Sequence, residues 1–313
     1  MNKYNFDTIK ARTDRIDSLN FDYAKQPKEY IDKCNLCGND IFTIISHSDQ
    51  FGFSVQSVMC NNCGLIMLNP RMTAKAYAKF YSDTYRPLVS AYHGRLINEE
   101  TIQVEQKHYA KQLGDLLERI INQKKGVINL LDVGGSTGVI AFYLQQRFNC
   151  NATVIDPSKT ELSNAKLLGL DVEMCTIEDY EHRRNQKFEL ITICQTIDHF
   201  LDIKSALKKI KKIMNPEGII FIDIVDFRAY YLQNKSIEGS IKIDHPYYLT
   251  ESTMESYLAN IGFKVLVKNY ASDHLHVGYV CTHSKPVPNI KVEKSELSDL
   301  SAEIRFIQNR YQP

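Results

Sequence analysis

Apolar positions along the chain follow two different periods. A largely apolar run over residues 127–133 reads as a buried parallel strand, with Asp132 near its end. Gly134, Gly135, Ser136, Thr137 and Gly138 follow, and then Val139, Ile140, Phe142, Tyr143 and Leu144 take up helical spacing. Beyond this point strand and helix patterns alternate. Residues 153–156 form a second strand, and Ser158 with Glu161 makes a capping box that opens a helix to Leu168. Residues 171–174 and 188–194 are further strands, and 203–213 is a helix. Asn215-Pro-Glu-Gly218 turns the chain into a strand over 218–225. A helix over 250–260 stops at Gly262, and 263–268 with 276–281 read as a final strand pair. Such alternation predicts an α/β fold, a parallel sheet covered on both faces. Upstream, residues 96–125 read as a helix whose core stripe is Tyr109, Leu113, Leu116, Leu117, Ile120 and Ile121.

The cysteines add a second module. Cys34 and Cys37 precede Gly38, and Cys60 and Cys63 precede Gly64, so the chain carries two Cys-x-x-Cys-Gly knuckles with short β-like segments between them. Four thiolates suit tetrahedral zinc and leave no open coordination position, which implies a structural metal. Redox thiols are the rival reading. The other cysteines, Cys150, Cys175, Cys194 and Cys281, read as small buried apolar residues. Paired thiols without a disulfide framework point to a reducing, cytoplasmic setting. The polar start is unlike a signal peptide, and no apolar run is long enough to span a membrane. Lys+Arg 38 against Asp+Glu 37 gives a net charge of +1, so no basic field gathers nucleic acid.

The glycine turn fits neither common phosphate motif. Counting from Gly134, the dinucleotide places hold Gly134, Ser136 and Val139, and no Gly-Lys-Ser/Thr ending is present. An acid before the glycines would repel pyrophosphate but suits a ligand carrying an ammonium and a sulfonium. The stretch resembles motif one of the class I S-adenosylmethionine-dependent methyltransferases. Asp132, Gly134 and Gly138 match that motif, Gly135 lies within it, and Ser136 stands where its middle glycine would be. The resemblance implies a Rossmann-like seven-stranded sheet, with 276–281 as the antiparallel seventh strand, beside a small N-terminal zinc ribbon.

A narrower resemblance rests on Cys63-Gly-Leu, Asn69-Pro70-Arg71 and the aromatic set Phe80, Tyr81 and Tyr85. A ribbon of this kind before a methyltransferase domain is similar to bacterial methyltransferases of polysaccharide and sugar-modifying gene sets, and to nucleotide-sugar C-methyltransferases. The latter carry an additional large C-terminal domain that this sequence does not contain, so carbon is not fixed as the methylated atom.

Candidate site residues follow. Asp156 ends the second strand 24 residues after Asp132, where a carboxylate can accept ribose hydroxyls; a helix-start acid is the alternative. By resemblance, Thr176 and Ile177 flank the adenine, Gln195 lies near the methionine part of the cofactor, and Asp198-His199 is the acid–histidine pair after strand four. His199 would be the general base, and Asp198 would orient it or bind the substrate. Residues 244–250 resemble a Glu-His-Phe-x-Tyr-x-Ser segment of the sugar enzymes, which makes His245, beside Tyr248, a second catalytic candidate. Tyr81 and Tyr85 would close over the cofactor from the ribbon side. His274 and His276 read as structural residues on one strand face, and the lysines over 204–212 as the solvated face of a helix.

The expected organisation is an arm (1–30), a zinc ribbon (31–72), a helical linker or lid (73–125), a methyltransferase domain (126–284) and a tail helix (285–313). The expected function is methyl transfer from S-adenosylmethionine to a small polar acceptor, a sugar or nucleotide sugar of surface-glycan synthesis, with structural zinc and a tail available to a homodimer. The rivals are a zinc-ribbon RNA methyltransferase, disfavoured by the few basic residues in the ribbon, and a non-catalytic binding module of the same fold.

Overall fold

The structure, a computed structural model, describes residues 6–121, 128–181, 187–287 and 292–311. They fall into two compact units, one built from 6–98, 227–253 and 292–311, the other from 99–226 and 254–287.

The second unit is built on a seven-stranded sheet. Its strands are β6 (Asn129–Val133), β7 (Asn151–Ile155), β8 (Asp171–Glu173), β9 (Phe188–Ile193), β10 (Met214–Val225), β12 (Phe263–Tyr270) and β13 (His276–His283), in the order β12-β13-β10-β9-β6-β7-β8. β6 to β10 pair in parallel, while β13 runs antiparallel to both β10 and β12. The seventh strand is thus the antiparallel one, as expected. The turn expected at 215–218 is instead an irregularity inside β10, where the pairing register shifts between Met214 and Ile219. Met174, expected at the end of the third strand, lies beyond it and is exposed.

The helices of this unit are α4 (Glu99–Ile121), α5 (Val139–Phe148), α6 (Lys159–Leu167), α7 (Ile203–Ile213) and α9, which begins at Glu251 and runs to Ile261. The stripe on α4 is a core stripe: Leu113, Leu117 and Ile121 are buried, and Tyr109, Leu116 and Ile120 pack beside them. They meet Ile140, Ala141 and Leu144 of α5 over a sheet face made by Leu130, Leu190, Phe221 and Val280. Each such aliphatic side chain contributes roughly 1.5–3 kcal/mol by leaving water. α7 matches its expected span because Asp202 caps it, accepting the Ser205 N–H at 2.9 Å, while Ile203, Ala206, Leu207, Ile210 and Ile213 face inward. Its lysines are not all solvated. Lys209 Nζ donates to Glu178 O at 2.7 Å, and Lys211 Nζ to Ile261 O at 2.8 Å. Residues 122–125 of the expected helix, and Val127 of the expected first strand, lie outside the described residues.

The first unit is assembled from three chain segments. Its four-stranded sheet has the order β11-β4-β3-β2, with β2 (Phe42–Ser48), β3 (Ser54–Cys60), β4 (Ile66–Leu68) and β11 (Tyr247–Tyr248). β11 pairs with β4 through Tyr247–Met67 and Tyr248–Ile66, so the 244–250 segment completes the ribbon sheet. This differs from the continuous catalytic domain expected over 126–284. β1 (Lys28–Glu29) pairs with β5 (Arg71–Met72) as a separate ribbon. Helices α1 (Phe6–Asp17), α2 (Ala74–Asp83), α3 (Tyr85–His93), α8 (Phe227–Asn234) and α10 (Lys294–Tyr311) complete the unit. α10 is tied down by Glu303, which pairs with Arg228 of α8 at 2.5 Å and accepts from the Tyr231 hydroxyl at 3.1 Å. Among the described residues no helix is long and apolar enough to cross a membrane.

Candidate functional site

The glycine turn sits at the carboxyl end of β6. Gly134 and Gly138 adopt φ 70° and 77°, and Ser136 adopts φ 52°, so a left-handed turn is made by two glycines and a serine. Gly134 N donates to Ile155 O at 2.8 Å and Gly138 N to Gly135 O at 2.9 Å, which ties the turn to the end of β7. Gly135 is needed for another reason. A Cβ there would stand 2.6 Å from Asp132 Oδ2.

Asp132 lies fully buried beneath the turn. Its Oδ1 accepts the Thr192 hydroxyl at 2.7 Å, and its Oδ2 has no hydrogen-bond partner among the described residues. Burial raises its pKa to about 6 against the Thr192 hydrogen bond, which lowers it. Asp156, at the end of β7, is also buried. Its Oδ2 accepts the Ser136 N–H at 3.0 Å and its Oδ1 the Ser158 N–H at 2.7 Å. Burial first, and then the neighbouring Glu161 charge, push its pKa up to about 7. Ser158 caps α6, accepting the Glu161 N–H at 3.4 Å, and the Glu161 carboxylate accepts the Ser136 hydroxyl.

The segment after β9 lies against this turn. Thr196 Oγ1 reaches Gly134 O at 3.5 Å, and a methyl group on Gly134 would run into the Thr196 side chain. Gln195 is exposed and takes the left-handed φ of 50°. Ile197–His199 then form one 3-10 turn. Asp198 Oδ1 and His199 Nε2 are 3.9 Å apart, both half-buried, so the expected acid–histidine pair is side by side on the same edge as the glycine turn.

One residue not expected from the sequence organises this edge. Asp223 of β10 is buried; it accepts the Gln195 N–H at 2.6 Å and the Tyr109 hydroxyl at 2.7 Å. Burial lifts its pKa to about 6. In register, Thr192 pairs with Asp132 on one side and Phe221 on the other, and Asp223 lies two residues beyond Phe221, at the level of the loop after β9. α4 touches both loops. Tyr109 grips Asp223, and Gln106, one turn earlier on that helix face, accepts the Thr137 hydroxyl at 2.5 Å and lies 3.5 Å from the Ser136 hydroxyl. The sequence signal was an acid inside an apolar strand, whose meaning depends on a loop 28 residues away.

Thr176 and Ile177 follow β8. Ile177 is buried, and the Thr176 hydroxyl bonds Asp179 in a local turn, accepting its N–H at 3.3 Å. His245 and Tyr85 belong to the other unit. There His245 Nε2 is 3.3 Å from Asp244 Oδ2, and its ring centroid is 6.2 Å from that of Tyr248. Tyr85 packs edge-on to Tyr81 at 5.3 Å, with the Arg86 guanidinium 5.2 Å from its ring centre. Tyr81 donates to Asp244 O at 2.7 Å. His274 is not on a strand but in the hairpin turn at φ 58°. His276 does have an acid beside it, with Nδ1 2.6 Å from Asp273 Oδ2.

In the same unit as His245, the Sγ atoms of Cys34, Cys37, Cys60 and Cys63 all lie within 4.8 Å of one another. Cys34–Cys63 and Cys37–Cys60 are each 3.5 Å apart. A disulfide needs about 2.05 Å, whereas sulfurs 2.3 Å from a tetrahedral zinc stand about 3.8 Å apart. Gly38 and Gly64 end the two knuckles at φ 76° and 72°. The donor set fits a closed zinc site.

The methyltransferase domain family matches residues 106–268. Among curated proteins, a ubiquinone biosynthesis O-methyltransferase of Hydrogenovibrio crunogenus is 23% identical over 201 residues, covering 56% of this chain and 83% of that protein. A malonyl-[acyl-carrier protein] O-methyltransferase of Acetivibrio thermocellus is 22% identical over 156 residues, covering 48% of this chain and 55% of its own length. Among solved structures, the plantazolicin methyltransferase in complex with SAH has a TM-score of 0.50 at 16% identity, covering 66% of this chain and 94% of that one. That likeness is one of fold.

Proposed function

This chain belongs to the methyltransferase domain family and is an S-adenosylmethionine-dependent methyltransferase, and we propose that it methylates an oxygen of a small polar acceptor, a sugar or nucleotide sugar, with His199 as the base. The observation that carries the reading is the Asp198–His199 pair on a segment that abuts the glycine turn through Thr196 and Gly134. The two O-methyltransferase relatives support oxygen as the acceptor atom. The zinc-ribbon resemblance supports a sugar.

S-adenosylmethionine, when bound, supplies a methyl already activated on a sulfonium. What remains for the protein is to align the acceptor and take its proton. The turn from Gly134 to Gly138 would hold the nucleoside, and the unpartnered buried Oδ2 of Asp132 beneath it favours a cationic ligand above. Asp156 would accept the ribose hydroxyls with the lone pairs that Ser136 and Ser158 do not use. Thr176 and Ile177 would flank the adenine, and Gln195 the methionine end. His199 would take the acceptor proton on its ring, and Asp198 would stabilise the imidazolium that forms. On the resemblance that marks them, His245 is kept as a second catalytic candidate and Tyr85 as a cofactor contact. The four cysteines would hold a structural zinc.

The test is His199→Ala. S-adenosylhomocysteine binding, followed by calorimetry, should stay within about twofold, while methyl transfer to a panel of nucleotide sugars should fall by about 100-fold or more. Unchanged transfer removes His199 from the base role.

A further inference from the structure

The glycine turn contains a serine in a conformation that glycine adopts without strain. Ser136 stands at φ 52°, where a Cβ is costly and neighbouring contacts must hold it. Two carboxylates converge on this residue from different chain positions. Asp156 Oδ2 takes its N–H at 3.0 Å, and Glu161 takes its hydroxyl. Glu161 lies on the first turn of α6 and is 9% exposed, an unusual degree of burial for a glutamate. A capping-box glutamate at this place turns back to the amide of its own cap residue. Here that amide, Ser158 N, donates to Asp156 Oδ1 at 2.7 Å, and a Glu161 carboxylate oxygen accepts the serine hydroxyl.

We propose that Glu161 is a positioning residue for the nucleoside of the methyl donor: by holding the Ser136 hydroxyl it fixes the left-handed turn, and with it the amides and the Asp156 carboxylate that meet the ligand. Ser136 and Glu161 then act as one unit that does what a single glycine does elsewhere. The inference rests on the proposal that this turn holds the nucleoside.

The experiment is calorimetry of the full chain with S-adenosylhomocysteine. Glu161→Ala should weaken binding by about tenfold, the worth of one hydrogen bond to a charged group. Glu161→Gln keeps an acceptor oxygen at the same reach and should recover most of the loss. Ser136→Ala removes only the hydroxyl and should reproduce the Glu161→Ala loss, which keeps the test decisive if Glu161→Ala does not fold. In a Ser136→Gly background the turn needs no support, so the effect of Glu161→Ala should shrink to less than about threefold. Equal losses in both backgrounds overturn the proposal, as does full affinity of Ser136→Ala. If the unmodified chain binds no S-adenosylhomocysteine, the methyl-donor reading falls as well, an outcome distinct from binding with uncoupled losses.

Discussion

A carboxyl group shut away from water favours its neutral form unless a cation or several donors face it. Asp132, Asp156 and Asp223 are in that position, with burial raising their pKa values to about 6, 7 and 6. Each folded value lies above the unfolded value of about 4. Their contribution to stability is therefore fully present below pH 4 and is lost as pH rises through 6 to 7. Ligand-free protein should melt at a lower temperature at pH 7.5 than at pH 5, and Asp132→Asn should flatten that slope; a melting point that rises over this range contradicts the assignment. A cationic ligand above Asp132 reverses the preference, so S-adenosylmethionine binding should release protons near pH 6, seen as a dependence of binding heat on the buffer. Gly135→Ala sets a methyl against the Asp132 carboxylate. It should cost about 1–3 kcal/mol of stability and weaken donor binding, read by thermal melts and calorimetry.

At the scale of elements, α4 covers the sheet with its apolar stripe and, through Gln106 and Tyr109, also fixes the two loops of the site. Tyr109→Phe removes one hydroxyl and no packing. It should raise the KM for S-adenosylmethionine and lower kcat, each by a few-fold, because the Gln195 turn at the methionine end loosens. Unchanged kcat and KM would remove Tyr109 from the support of that turn. The strand–helix alternation and α7 are legible because periodicity and caps are local signals, and the antiparallel seventh strand follows from the family resemblance. Asp223 is not legible, since its partners Gln195 and Tyr109 come from other elements. The contact of Glu161 with Ser136 is not legible for the same reason: the two residues are 25 apart and meet only once β6 and α6 are placed. β11 is two residues long and pairs across the chain, so neither its length nor its pattern marked it.

For the whole chain, the cysteine unit is the larger surprise. It recruits 227–253 and α10 across a long stretch of sequence that builds the other unit. One zinc per chain should be found by atomic absorption, and its removal by a strong chelator should unfold this unit, read as faster proteolysis between the two knuckles, since a structural zinc supplies about 10–16 kcal/mol of folding free energy. Absence of zinc in protein purified without chelator would refute the site. Glu303→Ala cuts the tie of α10 to Arg228 and Tyr231. Limited proteolysis should then cleave within 292–311 faster than in the unaltered chain.

Leu297 and Leu300 of α10 lie 3.3 and 3.2 Å from where a Cβ on Gly64, the glycine of the second knuckle, would stand. Synthesis proceeds from the amino terminus, so the thiolates leave the ribosome long before the helix that covers them. A nascent chain must therefore leave the second knuckle uncovered until α10 has been made. Emergence of that helix, rather than arrival of the ion, is then the event that seals this module.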